Sequence, residues 1–379
     1  MTTMLLTDDE VRDEVRRFVA EAWDPDLTLA EWWDRLADSG WAVPTWPAEW
    51  LGRGLPGAAA RTVSEELRAG RVLGPPAGLG LLLAGPTILA HGTDAQKERY
   101  LRPIVNGQEA WCQLFSEPGA GSDLASLQTR AVRDGDEWII NGQKVWTSGA
   151  QGADLGMLLA RTDPEAPKHK GISYFAFPMD QPGVEVRPLR EMTGRSLFAE
   201  VFFTDARVAD SECINGLGGG WIAANTTLAN ERGASFIWRE QVLHQRAIDQ
   251  LVQTCAQRGL TADPRVRQLL VQFWIEVEIF RLHNARTLER LARGDEIGAE
   301  SSLVKLFYAS LSQRMHHMAT SVLGSDALLL EGDPDAVDGG RWAHWLLWSR
   351  AMSIMGGSSE IQRNIVGERL LGLPREPRP

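Results

Sequence analysis

The chain has 379 residues, 44% of them hydrophobic and 23% charged, with a formal net charge of −11. That is apolar material for a large buried core and chain enough for two or three domains, at roughly 100–200 residues each. The negative field repels nucleic acid and anionic membrane surfaces, so neither is an expected partner.

Thr7-x-x-Glu10 is a capping box: the threonine oxygen and the glutamate each satisfy a backbone donor that a first helical turn cannot pair internally. It predicts a helix with Val11, Val15, Phe18, Val19 and Ala22 on one face. Thr28-x-x-Glu31 opens a second helix that stops near Gly40, and Thr93-x-x-Gln96 a third that ends before Asn106-Gly107. From about 111 to 215 the pattern changes to strands. Asn141-Gly142 between Trp138-Ile139-Ile140 and Lys144-Val145-Trp146 predicts a hairpin, since this dipeptide tolerates positive φ. Ile172 to Phe177 and Phe198 to Phe203 are further strands, rich in aromatic and branched residues. From about 221 onward helical periodicity returns, notably over Val271 to Leu291 and Ser301 to Leu323, with a polar loop at Asp333 to Gly340. The fold class is therefore α+β and multidomain: helices, then an inserted β domain, then helices, without the βαβ alternation of a doubly wound nucleotide fold.

Cys112, Cys213 and Cys255 are odd in number and lack CxxC spacing, which excludes a disulfide framework or zinc site and fits reduced thiols in a cytoplasm. Met1 to Glu21 is charged and amphipathic, and no run of about 18 apolar residues occurs, so neither a signal peptide nor a membrane span is expected. Gly216-x-Gly218-x-x-Trp221 lacks the third glycine of a dinucleotide fingerprint. His316 and His317 are adjacent, cannot share one helical face as metal ligands, and read as structural; no metal site is expected.

Four stretches carry chemistry. Phe115-Ser116-Glu117-Pro118-Gly119-Ala120-Gly121-Ser122-Asp123 combines small residues and a Pro-Gly turn, which let a backbone approach a flat ligand, with two hydroxyls for hydrogen bonding. Asn141-Gly142-x-Lys144-x-Trp146-Thr147-Ser148-Gly149 offers an aromatic ring beside hydroxyls. Asn230-Glu231-Arg232 places a carboxylate next to a guanidinium. Met355-Gly356-Gly357-Ser358-Ser359-Glu360-Ile361-Gln362-Arg363 presents backbone N–H groups before a helix, or simply a serine cap.

In this order and spacing the four stretches make the chain resemble the acyl-CoA dehydrogenase family over nearly its whole length. The resemblance implies an N-terminal helical domain over 1–110, a middle β-barrel domain over 111–215 and a C-terminal four-helix-bundle domain over 216–379. It implies FAD bound between the β domain and the C-terminal helices, and an acyl-CoA substrate that loses a proton from Cα and a hydride from Cβ to flavin N5. Gln113, Leu114 and Ser116 are then expected against the flavin, with Trp146 flanking the isoalloxazine and the Ser148 hydroxyl on N5. Ser358 and Glu360 match positions that touch FAD, Glu360 standing where some relatives have Gln, and Ser122 matches a position that reaches the pantetheine arm.

Many family members carry their base as a Glu in a Tyr-Glu-Gly-Thr segment. Here that segment is Met355-Gly356-Gly357-Ser358, and glycine holds no carboxylate. The isovaleryl-CoA and long-chain branches place the base before an Arg in an earlier helix, and Glu231-Arg232 stands at that position. The resemblance thus makes Glu231 the base, Arg232 its orienting neighbour, and Gly356 a backbone donor to the thioester carbonyl. Loss of the tyrosine leaves room for a branched or polycyclic acyl chain.

Two cofactor elements depart from the family pattern. An Arg-x-x-Phe-Gly segment that clamps FAD across a subunit interface is replaced by Arg258 to Gln268, without Phe-Gly, and a Gly-Gly-x-Gly loop reads Gly324-Ser325-Asp326-Ala327. This looks like a bacterial subgroup associated with steroid side-chain breakdown, some of whose members are heterotetramers of two unlike subunits. The expected partners are an acyl-CoA, an electron-transferring flavoprotein, and either further copies of this chain or a second acyl-CoA dehydrogenase-like subunit. The alternatives are a non-catalytic subunit that stabilises a catalytic partner, and a flavin oxidase or monooxygenase on the same fold.

Overall fold

The computed structural model describes residues 6–231, 234–293 and 298–375. The chain divides into two compact units. Met1–Glu191 with Ser196–Glu231 forms the first, and Met192–Arg195 with Arg232–Pro379 forms the second.

The first unit opens with helices α1 (Asp8–Ala22), α2 (Leu29–Asp38), α3 (Gly57–Ala69), α4 (Gly85–His91) and α5 (Asp94–Val105). The three expected capping boxes start α1, α2 and α5. In each the threonine oxygen accepts the N3 amide at 3.3 Å. Val11, Val15, Trp32, Leu36, Val63 and Leu67 meet in one core. Phe18 stacks on Trp32 at 5.7 Å, so one of the fifteen tryptophans is the centre of this packing. Glu66 on α3 is buried but paired, accepting from Arg12 at 2.8 Å and Arg16 at 2.7 Å on α1.

The β part of this unit is an eight-stranded sheet of β1 (Trp111–Leu114), β2 (Arg130–Asp134), β3 (Glu137–Ser148), β4 (Leu155–Arg161), β5 (Ile172–Pro178), β6 (Val184–Leu189), β7 (Phe198–Ala209) and β8 (Cys213–Ile214). The order is β6-β7-β3-β2-β4-β5-β8, with β1 added parallel to β4. The sheet folds over its own core. Phe177 of β5 meets Phe203 of β7 edge-on at 5.2 Å, and Trp138 of β3 lies 6.1 Å from Phe175.

One expectation is corrected here. Asn141-Gly142 is not a hairpin turn; it lies inside β3, which runs unbroken from Glu137 to Ser148. The register against β7 shifts between Ile140 and Gly142, so the dipeptide makes a bulge. Thr129 explains the glycine, because a Cβ at 142 would stand 2.7 Å from the Thr129 Cα. The hairpin turn is instead at Gly135-Asp136, joining β2 to β3, where Gly135 has φ +67°.

Helix α6 (Gly220–Glu231) closes the first unit. Its start presses on β5: a Cβ at Gly220 would stand 2.5 Å from the Ser173 carbonyl carbon. Ala223 and Ala224 join Leu83, Ile88, Phe115 and Tyr174 in a core shared by α4, α6 and the sheet.

The second unit is helical, built from α7 (Ala234–Gln257), α8 (Pro264–Ala292), α9 (Ser301–Leu323), α10 (Arg341–Trp348) and α11 (Ser359–Ile365). Ile248, Leu251, Val277, Leu311 and Met315 fill its core, and Phe280 stacks on Tyr308 at 5.9 Å. The polar stretch at Asp333 to Gly340 is loop up to a short 3-10 turn at Val337–Gly340. His316 is buried and its Nδ1 lies 2.8 Å from the Ser312 carbonyl. Among the described residues, no group of His, Cys, Asp and Glu could hold a metal ion and no helix is long and apolar enough to cross a membrane.

Candidate active site

Strand β1 ends at Leu114 and the chain leaves the sheet as the Phe115–Leu127 loop. Pro118-Gly119 makes a tight turn, closed by Glu117 and Ala120 exchanging backbone hydrogen bonds at 3.1 and 3.0 Å. Behind it lies Lys144 of β3, 0% exposed. Its Nζ donates to the Phe115 carbonyl at 3.0 Å and to Glu117 Oε1 at 2.8 Å. Glu117 also accepts the Gln128 amide at 2.6 Å and the Thr129 amide at 2.9 Å. Burial pushes the Lys144 ammonium down to about 8 against the pull of Glu117. Burial alone would raise the Glu117 carboxyl, but Lys144 and the amides hold it below the usual carboxylate range. Glu117 and Lys144 are therefore a buried ion pair, and the sequence reading gave neither a role. The legible signal was a lysine on the inward phase of an apolar strand.

This pair brings two of the expected stretches together. The Val145 amide donates to the Ser116 carbonyl at 2.9 Å, so the loop lies along β3 at Ser116. The next residue, Trp146, has φ +60° and a side chain 56% exposed, edge-on to Phe198 at 5.7 Å. A left-handed tryptophan costs on the order of 1–3 kcal/mol and persists only where its surroundings impose it. The β3–β7 register shifts between Lys144 and Thr147, which gives Trp146 its outward aim. Ser116 is half-buried and Ser148 exposed, while the buried Thr147 hydroxyl has no protein partner among the described residues.

Gln113 is half-buried on β1. Leu114 is fully buried in the sheet core, so its side chain cannot lie against a ligand and only its main chain is available. Ser122 stands on the exposed part of the loop, beside Asp123, which accepts from Lys168 at 2.7 Å. Arg161 holds the far end of the loop through the Ala125 carbonyl at 2.7 Å.

Glu231 is the last residue of α6 and is half-buried. Two contacts pin the helix to α4: Thr227 Oγ1 lies 2.8 Å from Thr87 Oγ1, and Thr226 Oγ1 lies 2.7 Å from His91 Nε2. Burial lowers the His91 pKa. Asn230 turns back onto the Thr226 carbonyl at 2.9 Å. Arg232, the expected orienting neighbour, lies outside the described residues.

In the second unit, Gly356 and Gly357 have φ +65° and +91°, conformations open to glycine and strained for a side chain. The buried Gln362 donates to both of their carbonyls at 3.2 Å. Ser358 caps α11, accepting the Ile361 amide at 3.4 Å, and Glu360 is exposed with Arg363 at 3.3 Å. Lys305 of α9 holds the preceding turn through the Met352 carbonyl at 2.6 Å.

These residues fit a flat, hydrogen-bonding cofactor. An outward tryptophan is imposed by the backbone, Thr147 and Ser148 follow it in sequence, the Ser116 loop lies along the same strand, and the buried Thr147 hydroxyl has no protein partner among the described residues. The arrangement is carried on a helix–sheet–helix order.

Comparison with known proteins agrees. Residues 7–108, 112–206 and 218–371 match the N-terminal, middle and C-terminal domains of acyl-CoA dehydrogenase. The chain is 40% identical over 346 residues to acyl-CoA dehydrogenase IpdE1 of Mycobacterium tuberculosis, covering 91% of this chain and 88% of that one. Among solved structures it is similar to the Tcur3481-Tcur3483 steroid acyl-CoA dehydrogenase, at 31% identity and a TM-score of 0.79 over 97% of both chains. It is also similar to the ChsE4-ChsE5 complex from Mycobacterium tuberculosis, at 29% identity and a TM-score of 0.76, covering 99% of this chain and 100% of that one. The chain belongs to the acyl-CoA dehydrogenase family, whose members are FAD-dependent oxidoreductases.

Proposed function

We propose that this chain is the base-bearing subunit of a heteromeric acyl-CoA dehydrogenase that converts an acyl-CoA thioester to its trans-2-enoyl-CoA. Glu231 removes the Cα proton. Bound FAD supplies the hydride acceptor, N5, for the hydrogen leaving Cβ. The Gly356 N–H donates to the thioester carbonyl oxygen, where negative charge develops as the α-proton leaves. Arg232 orients the base. Trp146 would flank the flavin and the Ser148 hydroxyl would hydrogen-bond its N5, with Gln113, Leu114 (through its main chain) and Ser116 against it. Ser358 and Glu360 contact the cofactor, and Ser122 holds the pantetheine arm.

One observation carries the choice of base. Position 356 is a glycine in a left-handed conformation, whereas Glu231 is a half-buried carboxylate ending a helix pinned to α4 by hydroxyl contacts. A subunit that only stabilised a partner would need no such group.

The heteromeric reading draws on the relatives whose structures are titled as two-component complexes. It also draws on Arg258, whose guanidinium is already taken by Asp326. The partner subunit supplies the cofactor clamp, and an electron-transferring flavoprotein removes the electrons. The acyl group is polycyclic or branched, in line with the relative titled a steroid enzyme. The domains run 1–110, 111–215 and 216–379, and the compartment is the cytoplasm, where the free thiols of Cys112, Cys213 and Cys255 stay reduced.

The test is anaerobic titration of the purified yellow protein with short, long, branched and steroid acyl-CoAs. Bleaching of the flavin by one class and formation of its enoyl-CoA support the reading. A protein that stays yellow with every class refutes it.

A further inference from the structure

Lys144 makes two bonds and both go to the loop: one to the Phe115 carbonyl, one to the Glu117 carboxylate. Ser116 sits between those two residues, and its own carbonyl takes the Val145 amide at 2.9 Å. Glu117 in turn gathers the amides of Gln128 and Thr129, where the loop returns to the sheet. The two groups thus tie both ends of the loop to the point on β3 from which Trp146 projects. Folding alone does not demand charges here, since apolar groups of similar volume commonly replace a buried ion pair with no loss of stability. What an apolar pair cannot do is set direction: a buried ammonium and carboxylate are stable only where several hydrogen-bond partners converge on them.

We propose that the buried Lys144–Glu117 pair is the positioning element of the cofactor site, holding Ser116 and the left-handed Trp146 in the arrangement that receives the flavin. Neither residue touches the ligand; both act through the backbone. The inference rests on the flavin reading of this face. It further implies that the loop and Trp146 move as one body, because releasing either end of the pair releases both.

The experiment compares the native protein with the double variant Glu117→Gln/Lys144→Met, which leaves no buried charge unpaired. The expected result is a protein that still folds cooperatively, with a melting temperature lowered because the Phe115 carbonyl and one loop amide lose their partners, together with an FAD dissociation constant at least about tenfold higher. The flavin absorption should shift toward that of free FAD. Amide hydrogen exchange over 115–123 and 144–149, measured without cofactor, should accelerate. Native FAD affinity, spectrum and exchange in the folded double variant would overturn the proposal. If the double variant does not fold, Glu117→Asp replaces it: this keeps the charge but draws the carboxylate back by one carbon. The same three readouts should then move partway, and three unchanged readouts would overturn the proposal. A native protein that takes up no FAD would sink the flavin reading instead. The cofactor-free exchange measurement would still decide whether the pair holds the loop.

Discussion

Arg258 Nη2 donates to Asp326 Oδ2 at 2.7 Å, and so joins the two segments in which this chain departs from the cofactor-clamping pattern of its family. Arg258 follows α7 and Asp326 follows α9, so both lie at one end of the second unit. The arginine holds the Asp326 carboxyl below the usual range, and Ser325 lowers it further. A guanidinium engaged by an internal carboxylate is a poor site for a second anion.

The first prediction follows from that pair. The protein co-purified with its partner subunit should hold about one FAD for every two acyl-CoA dehydrogenase chains. Flavin absorbance against total protein, with the mass of the complex, checks the ratio. A homotetramer with one FAD per chain would contradict it.

Glu231→Gln should keep bound FAD and lose reduction by acyl-CoA. A positioned general base contributes about 10²–10⁴-fold, so the rate of anaerobic bleaching in a stopped-flow mix should fall within that range. Native bleaching by the variant would remove Glu231 as the base.

Gly220→Ala should destabilise the first unit. The added Cβ would meet the Ser173 carbonyl carbon at 2.5 Å and the Tyr174 amide nitrogen at 2.7 Å, both backbone atoms of β5 that cannot swing aside. Overpacking of this kind costs about 1–3 kcal/mol. The check is a melting curve, with the fall expected in the transition of the first unit.

Stability should decline as pH drops below the unfolded histidine value near 6.5. Burial pushes His316 down to about 3, and burial likewise lowers His244. Each is harder to protonate in the native state than in the unfolded chain, so stability is lost as pH falls below about 6.5, and for His316 the loss continues toward about 3. The slope is at most about 1.4 kcal/mol per pH unit for each histidine. Melting temperatures between pH 5 and 7 should fall more gently in His316→Asn, whose side-chain amide can still donate to the Ser312 carbonyl. An equal slope in the variant would show that His316 is not the group.

Much of this molecule was legible in its residues. The three threonine caps, the apolar faces of α1 and α9, and the strands at Ile172 and Phe198 all depend on neighbours three to seven positions away, and local chemistry is enough to place them. The motif stretches and the missing carboxylate at 356 are equally plain in the chain. The Asn141-Gly142 bulge was not, because it is a register shift against β7, and the glycine is required by Thr129, just before β2, rather than by anything beside it in sequence. Nor was the job of Lys144, since a lysine pattern cannot say which carboxylate, 27 residues away, will share its burial. Local propensities act along the chain. Ion pairing, bulge geometry and the outward aim of Trp146 arise only when segments distant in sequence compete for the same dry space, and tertiary packing decides them.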